Sequence, residues 1–161
     1  MFAVRLVQLV EARAEDLSEG LMRKLKTSEQ CRELLHVVPP DELKRRTHEI
    51  YRNLNDWLLN KTESEIEERY IGLGIRRARQ NVPFSAFLWA VVATKEYLWE
   101  FVQREGLLEE PVELFGEIEL FHSLERFFDR VLYFAAIGYE SERHGEAEHA
   151  LRTHAVGRKT A

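Results

Sequence analysis

The chain has 161 residues and a formal net charge of −5, with 28 Asp plus Glu against 23 Lys plus Arg. Hydrophobic residues make up 45% and charged ones 32%, the balance of a helix-rich globular chain long enough to bury a real core. The acidic excess excludes a nucleic-acid binder that works through overall basic charge, and the lone Cys31 excludes an intrachain disulfide and a cysteine-built zinc site.

The opening "MFAVRLVQLVEARAED" has no basic lead-in and runs straight into acids, so it is not a secretory leader. No uncharged stretch reaches the roughly 20 residues of a membrane span. With one cysteine, these features give the expectation of a soluble, cytoplasmic protein. Leu6, Val10, Leu17, Leu21 and Leu25 recur at helical spacing, which predicts one amphipathic helix over 2–26. "TSEQ" at 27–30 has the form of a capping box and opens a short helix ending near His36. "VVPPD" then breaks the chain. Asp41 caps a helix to about Asn60, with Leu43, Ile50, Tyr51, Leu54, Trp57 and Leu58 on one side. "TESE" at 62–65 is a second capping box, for a helix to about Gln80. Pro83 suits the first turn of the next helix, 83–104. After the loop "GLLEEP" the last helix spans 112–140, and 141–161 reads as a polar, frayed tail. The fold class is all-α, a five- to six-helix globin-like bundle forming a single domain over 1–140.

The segment Phe84 to Thr94 holds eleven consecutive uncharged residues. At 100° per residue, Phe84, Phe87, Leu88, Val91, Leu98, Trp99 and Val102 share a wide apolar face, with Ala86, Ala90 and Ala93 opposite. A segment apolar all round belongs at the centre of a bundle, covered by its neighbours. Lys95 falls within that face. A buried ammonium needs water or an acid, and Glu117, inside the apolar arc of the last helix, is its expected partner. Lys95 with Trp89, Trp99 and Phe121 also marks the expected position of a small pocket. On the last helix Leu114, Ile118, Phe121, Phe128 and Leu132 form one stripe, which Leu120, Leu124, Phe127, Val131 and Phe134 widen to an arc of about 200°. An arc that wide predicts a homodimer formed through this second set, unless the N-terminal helix covers it within one chain.

Chemistry is not visible. Glu-x-x-His occurs as Glu33/His36, Glu119/His122 and Glu146/His149, the spacing used in di-iron bundles. The middle pair, however, falls on a polar arc with Arg126, Asp129 and Arg130, and the others sit at a helix end and in the tail. No histidine lies in 82–108 to ligate haem, and Met22, His36 and His48 lie elsewhere. The five-residue spacing of His144, His149 and His154 turns each by about 140° on a helix, away from a common metal. "GLG" at 72–74 sits inside a helical pattern, so it is no dinucleotide motif. The expectations are no catalysis, no cofactor, no metal and no membrane. The alternatives are a small-ligand or haem-binding helical protein and, behind it, a di-iron carboxylate bundle.

"LGIRRARQNVPFSAFLWAVVATKEYLWEFV", "NLNDWLLNKTESEIEERY" and "ELFGEIELFHSLERFFDRVLYFAAIGYE" together are similar to the N-terminal sensor domains of RsbR-type stressosome regulators, over roughly 10–140. The resemblance implies a haem-free, globin-like, dimeric sensor domain that passes a signal through its last helix to an output domain. It carries over no catalytic residues. In those regulators the output domain follows in the same chain. Here about twenty residues follow Tyr139, so the expectation is a regulatory partner supplied in trans.

Overall fold

The computed structural model describes residues 2–105 and 111–157, and every element among them is helical. The N-terminal stripe forms α1 (Phe2–Ala12) and α2 (Ala14–Lys26) rather than one helix. At the break the amide of Arg13 is shared between the carbonyls of Leu9 (3.0 Å) and Val10 (3.1 Å), a local tightening that the apolar spacing does not report. Thr27 ends α2 and turns its hydroxyl back to the carbonyl of Lys24 (3.0 Å), so the capping box expected at 27–30 does not form. A 3-10 turn, Glu29–Cys31, leads instead into α3 (Arg32–Val37). The next helix, α4 (Pro40–Arg52), starts on Pro40 at its first position, and Asp41 is a first-turn acid facing the helix dipole rather than the cap. It stops at Arg52, short of Asn60. A π turn, Asp56–Asn60, follows, and in it Trp57 packs against the rings of Tyr70 and Phe127 at 5.6 and 5.7 Å.

α5 (Glu63–Arg79) begins on the expected capping box: the Glu65 amide donates to Thr62 Oγ1 (3.2 Å) and the Thr62 amide to Glu65 Oε2 (2.7 Å). It ends in a Schellman motif. Asn81 takes a left-handed φ of 57°, its amide donates to the Ala78 carbonyl (2.9 Å), and the Val82 amide reaches the Arg77 carbonyl (3.1 Å). Pro83 lies just outside α6 (Phe84–Glu105). The residues between α6 and α7, including most of the expected "GLLEEP" loop, fall outside the described ones. α7 (Pro111–Gly157) spans 47 residues, about 70 Å of helix, and continues through the segment read as a frayed tail.

α6 runs through the middle of the bundle, in contact with α1, α2, α3 and α7. Its alanines 86, 90 and 93 are buried, as the small-residue edge requires. The helix is not covered all round, however: Ser85 and Trp89 reach solvent, and Leu88 and Val92 are half-buried. α7 lies most extensively along α5. The two backbones meet at two glycines: a Cβ built on Gly74 would lie 2.0 Å from the Ala135 carbonyl oxygen, and one on Gly138 would lie 2.1 Å from that of Ile71. This close approach accounts for Gly74, the second glycine of the helical "GLG", whereas a Cβ on Gly72 would meet nothing within 4 Å.

Candidate functional site

The seam between α6 and α7 holds three of the residues singled out by sequence, Lys95, Trp99 and Phe121. The helices run antiparallel, as three contacts along their length require: Trp99 on Phe121 (ring centroids 4.8 Å), Lys95 on Glu125, and Phe84 on Tyr139 (4.8 Å). Tyr139 pins the far end by donating its hydroxyl to the Val82 carbonyl at 2.6 Å.

Lys95 Nζ donates to Glu125 Oε2 at 3.1 Å, which corrects the expected pairing with Glu117. Helical arithmetic places a residue on a face but says nothing of axial register. Glu117 lies eight residues, or about 12 Å, further along α7 from the acid that Lys95 meets. Glu117 is nonetheless buried, and its Oε2 has no hydrogen-bond partner among the described residues. The Lys95 and Glu125 side chains retain 24% and 34% of their exposure, so this is a partly solvated pair. Lys95→Met is accordingly expected to cost less than about 1 kcal/mol in urea unfolding, and a loss of several would show a desolvated pair instead.

Of the residues expected at a pocket, Trp89 is exposed and Trp99 and Phe121 pack on each other with tilted rings, while a half-open apolar cavity is lined by another edge of α6, through Phe87, Ala90, Val91 and Thr94. The proposed dimer face is also corrected. Leu120, Leu124, Phe127, Val131 and Phe134 are all buried within the one chain, none more than 6% exposed. The covering helix is chiefly α5, whose Tyr70 packs edge-on to Phe127 at 6.0 Å and whose Gly74 lies against Ala135. The side of α7 left free carries Phe115, Ile118, Tyr133 and Ile137. The three Glu-x-x-His pairs occupy exposed positions, away from the core, as their helical placement indicates.

Sequence reasoning missed the strongest electrostatic feature. Glu42, 5% exposed, receives Arg76 Nε (2.7 Å) and Nη2 (2.9 Å) on its two oxygens and Arg77 Nη1 at 2.7 Å. The hydrogen bonds from Arg76 hold its carboxyl down to about 2, helped by Arg77 and opposed by burial. Arg77, only 2% exposed, also donates to Gln80 Oε1 at 2.7 Å, while burial pulls its guanidinium below the ordinary value. A short basic run such as "RRAR" at 76–79 ordinarily lies on a solvated helix face, yet Arg77 falls on the row Tyr70, Gly74, Arg77 and Ala78 that faces the core. That row is the signal that could have found it.

A family model described as the RsbT co-antagonist protein rsbRD N-terminal domain matches residues 15–154, from the start of α2 to near the end of α7. No curated protein and no solved structure matches the chain.

Proposed function

The chain belongs to the family of RsbT co-antagonist rsbRD N-terminal domains, and from that membership we propose a non-catalytic regulatory module of stress signalling that works by binding other proteins. The family description points to RsbT, or its counterpart, as the system regulated. The module acts as a homodimer in the cytoplasm, has the haem-free globin-like packing implied by its family, and relays its state along α7.

One observation carries the dimer and the relay. Of the nine large apolar side chains exposed among the described residues, six lie on α6 and α7: Trp89, Phe115, Ile118, Tyr133, Ile137 and Leu151. Scattered apolar residues are ordinary on a surface, but concentration on one helix pair is the composition of an interface. α7 suits a relay because it extends past its anchor to α5, the Arg79–Glu142 pair at 2.8 Å, and its described side chains from Arg143 to Arg152 are exposed. A rigid rod fixed in the bundle at one end carries a shift in the core outward.

Sedimentation tests this. The wild-type chain is expected to be a dimer, and the double change Tyr133→Glu with Ile137→Glu to give a monomer with unchanged helical circular dichroism. A monomeric wild type would end the dimer proposal. Failure of RsbT or its counterpart to co-purify with the co-expressed chain would count against the regulatory reading.

A further inference from the structure

A half-open groove of about 280 Å³ lies between the π turn, the start of α5 and α7. Trp57, Ile66 and Phe127 give it an apolar, partly aromatic floor. Around that floor stand Lys61, Arg126 and Arg130, against a single acid, Glu63. Three cations facing one acid leave an excess of two positive charges, on a chain whose net charge is −5. α5 adds the positive end of its dipole, since its first residue, Glu63, lines the groove.

Two of the three cations are loosely held. Arg126 is exposed and makes no hydrogen bond or ion pair among the described residues. Lys61 lies 3.6 Å from Glu65 and 4.0 Å from Asp56, and both acids line a separate basin between α4, the π turn and α5 rather than this groove. Arg130 is bridged to Glu63 at 3.0 Å. Exposed charges are ordinary in themselves, but a second observation marks this groove. Trp57, 7% exposed, lines it, and its indole Nε1 is a buried donor with no acceptor among the described residues. Buried N–H groups are normally bonded, so this one calls for an explanation. The turn that carries it is a π turn, a form found mostly as short insertions at functional sites.

We propose that this groove binds a phosphate monoester with an apolar body, its phosphoryl group among Arg126, Lys61 and Arg130 and its body on Trp57 and Phe127. A phosphate monoester carries about −1.5 to −2 at neutral pH, which matches the excess of two positive charges, whereas a carboxylate answers only one. Guanidinium groups suit phosphoryl oxygens because they offer paired donors. Lys61 Nζ lies over the Trp57 ring, 5.8 Å from its centre. Drawn to the phosphoryl group, that ammonium uncovers the indole, whose N–H then has an acceptor on the ligand. As a binding site the groove stands on its own geometry; as the input of a sensor it rests on the regulatory reading above. Arg126, Phe127 and Arg130 belong to α7, so occupancy bears directly on the relay helix.

Titration of the isotope-labelled full chain with phenyl phosphate, inorganic phosphate and benzoate, against sodium chloride at equal ionic strength, tests it through the magnetic resonance of the indole N–H groups. The Trp57 signal is the one that survives both Trp89→Phe and Trp99→Phe. It is expected to shift saturably with phenyl phosphate while the other two stay in place. Phenyl phosphate should bind at least about fivefold more tightly than inorganic phosphate, which lacks the body, and than benzoate, which lacks the second charge. Arg126→Gln should weaken it roughly tenfold, and because that side chain is exposed and unpaired the fold stays intact. No saturable shift of the Trp57 signal, an equal response to chloride, equal binding of benzoate, or an unchanged Arg126→Gln variant would overturn the site. Failure here leaves the dimer and co-purification results untouched, so the two readings fall separately.

Discussion

Gly74→Ala is expected to destabilise the protein by about 3 kcal/mol or more, while Gly72→Ala, two residues earlier on the same helix, stabilises it by about 1 kcal/mol. Helix propensity favours alanine equally at both positions, so the difference in sign isolates tertiary packing. At Gly72 a Cβ would meet nothing within 4 Å. At Gly74 it would lie 2.0 Å from the carbonyl oxygen of Ala135 and 2.9 Å from the amide nitrogen of Tyr139. Both are backbone atoms of a continuous helix, so no side chain can swing aside, and α5 and α7 must move apart. Separation would loosen the contact of Tyr70 with Phe127 and strain the Arg79–Glu142 bridge together. At about 2–4 °C per kcal/mol for a chain of this size, Gly74→Ala should melt roughly 6–12 °C lower. Two variants with equal melting points would show that the helices part freely and that the close approach is incidental.

The same contact explains which parts of the structure were readable from sequence. The Thr62–Glu65 box and the all-helical class follow from local rules, so spacing alone reports them. The wide apolar arc of α7 was read correctly as a surface needing cover, but the covering element was not. What brings α5 onto Leu124, Phe127 and Val131 is the absence of side chains at Gly74 and Gly138, and a glycine within a helical pattern does not announce its partner. Register was invisible for the same reason. Lys95 was placed on the correct face and given the wrong acid, because nothing along one helix says how far its antiparallel neighbour has slid. The candidate site therefore moved: the side chains chosen for a dimer are core, and the free edge of α7 at Tyr133 and Ile137 takes their place.

One buried acid sets the second large effect. Glu42→Gln is expected to cost about 3–5 kcal/mol at neutral pH, because it leaves the Arg77 guanidinium, 2% exposed, as a buried charge without a counter-ion. Arg77→Met should cost much less. Glu42 then keeps both hydrogen bonds from Arg76, whose own side chain is 51% exposed and lies partly in water. A symmetric salt bridge would lose the same amount from either end, so the inequality is the signature of this arrangement. Acid resolves it further. The Glu42 carboxyl falls from 4.5 in the free residue to about 2 in the fold. A lowered value means the folded state favours the ionised form, so its stabilisation is complete above pH 4.5 and lost as pH falls toward 2. The amount is about 3 kcal/mol at 1.36 kcal/mol per unit. Urea unfolding of wild type and Glu42→Gln between pH 7 and pH 2 should show a gap that is constant down to about pH 4.5 and closes below it. Curves that stay parallel through that window would mean the carboxylate is not held by the two arginines, and the bond between α4 and the end of α5 would then have to be sought elsewhere.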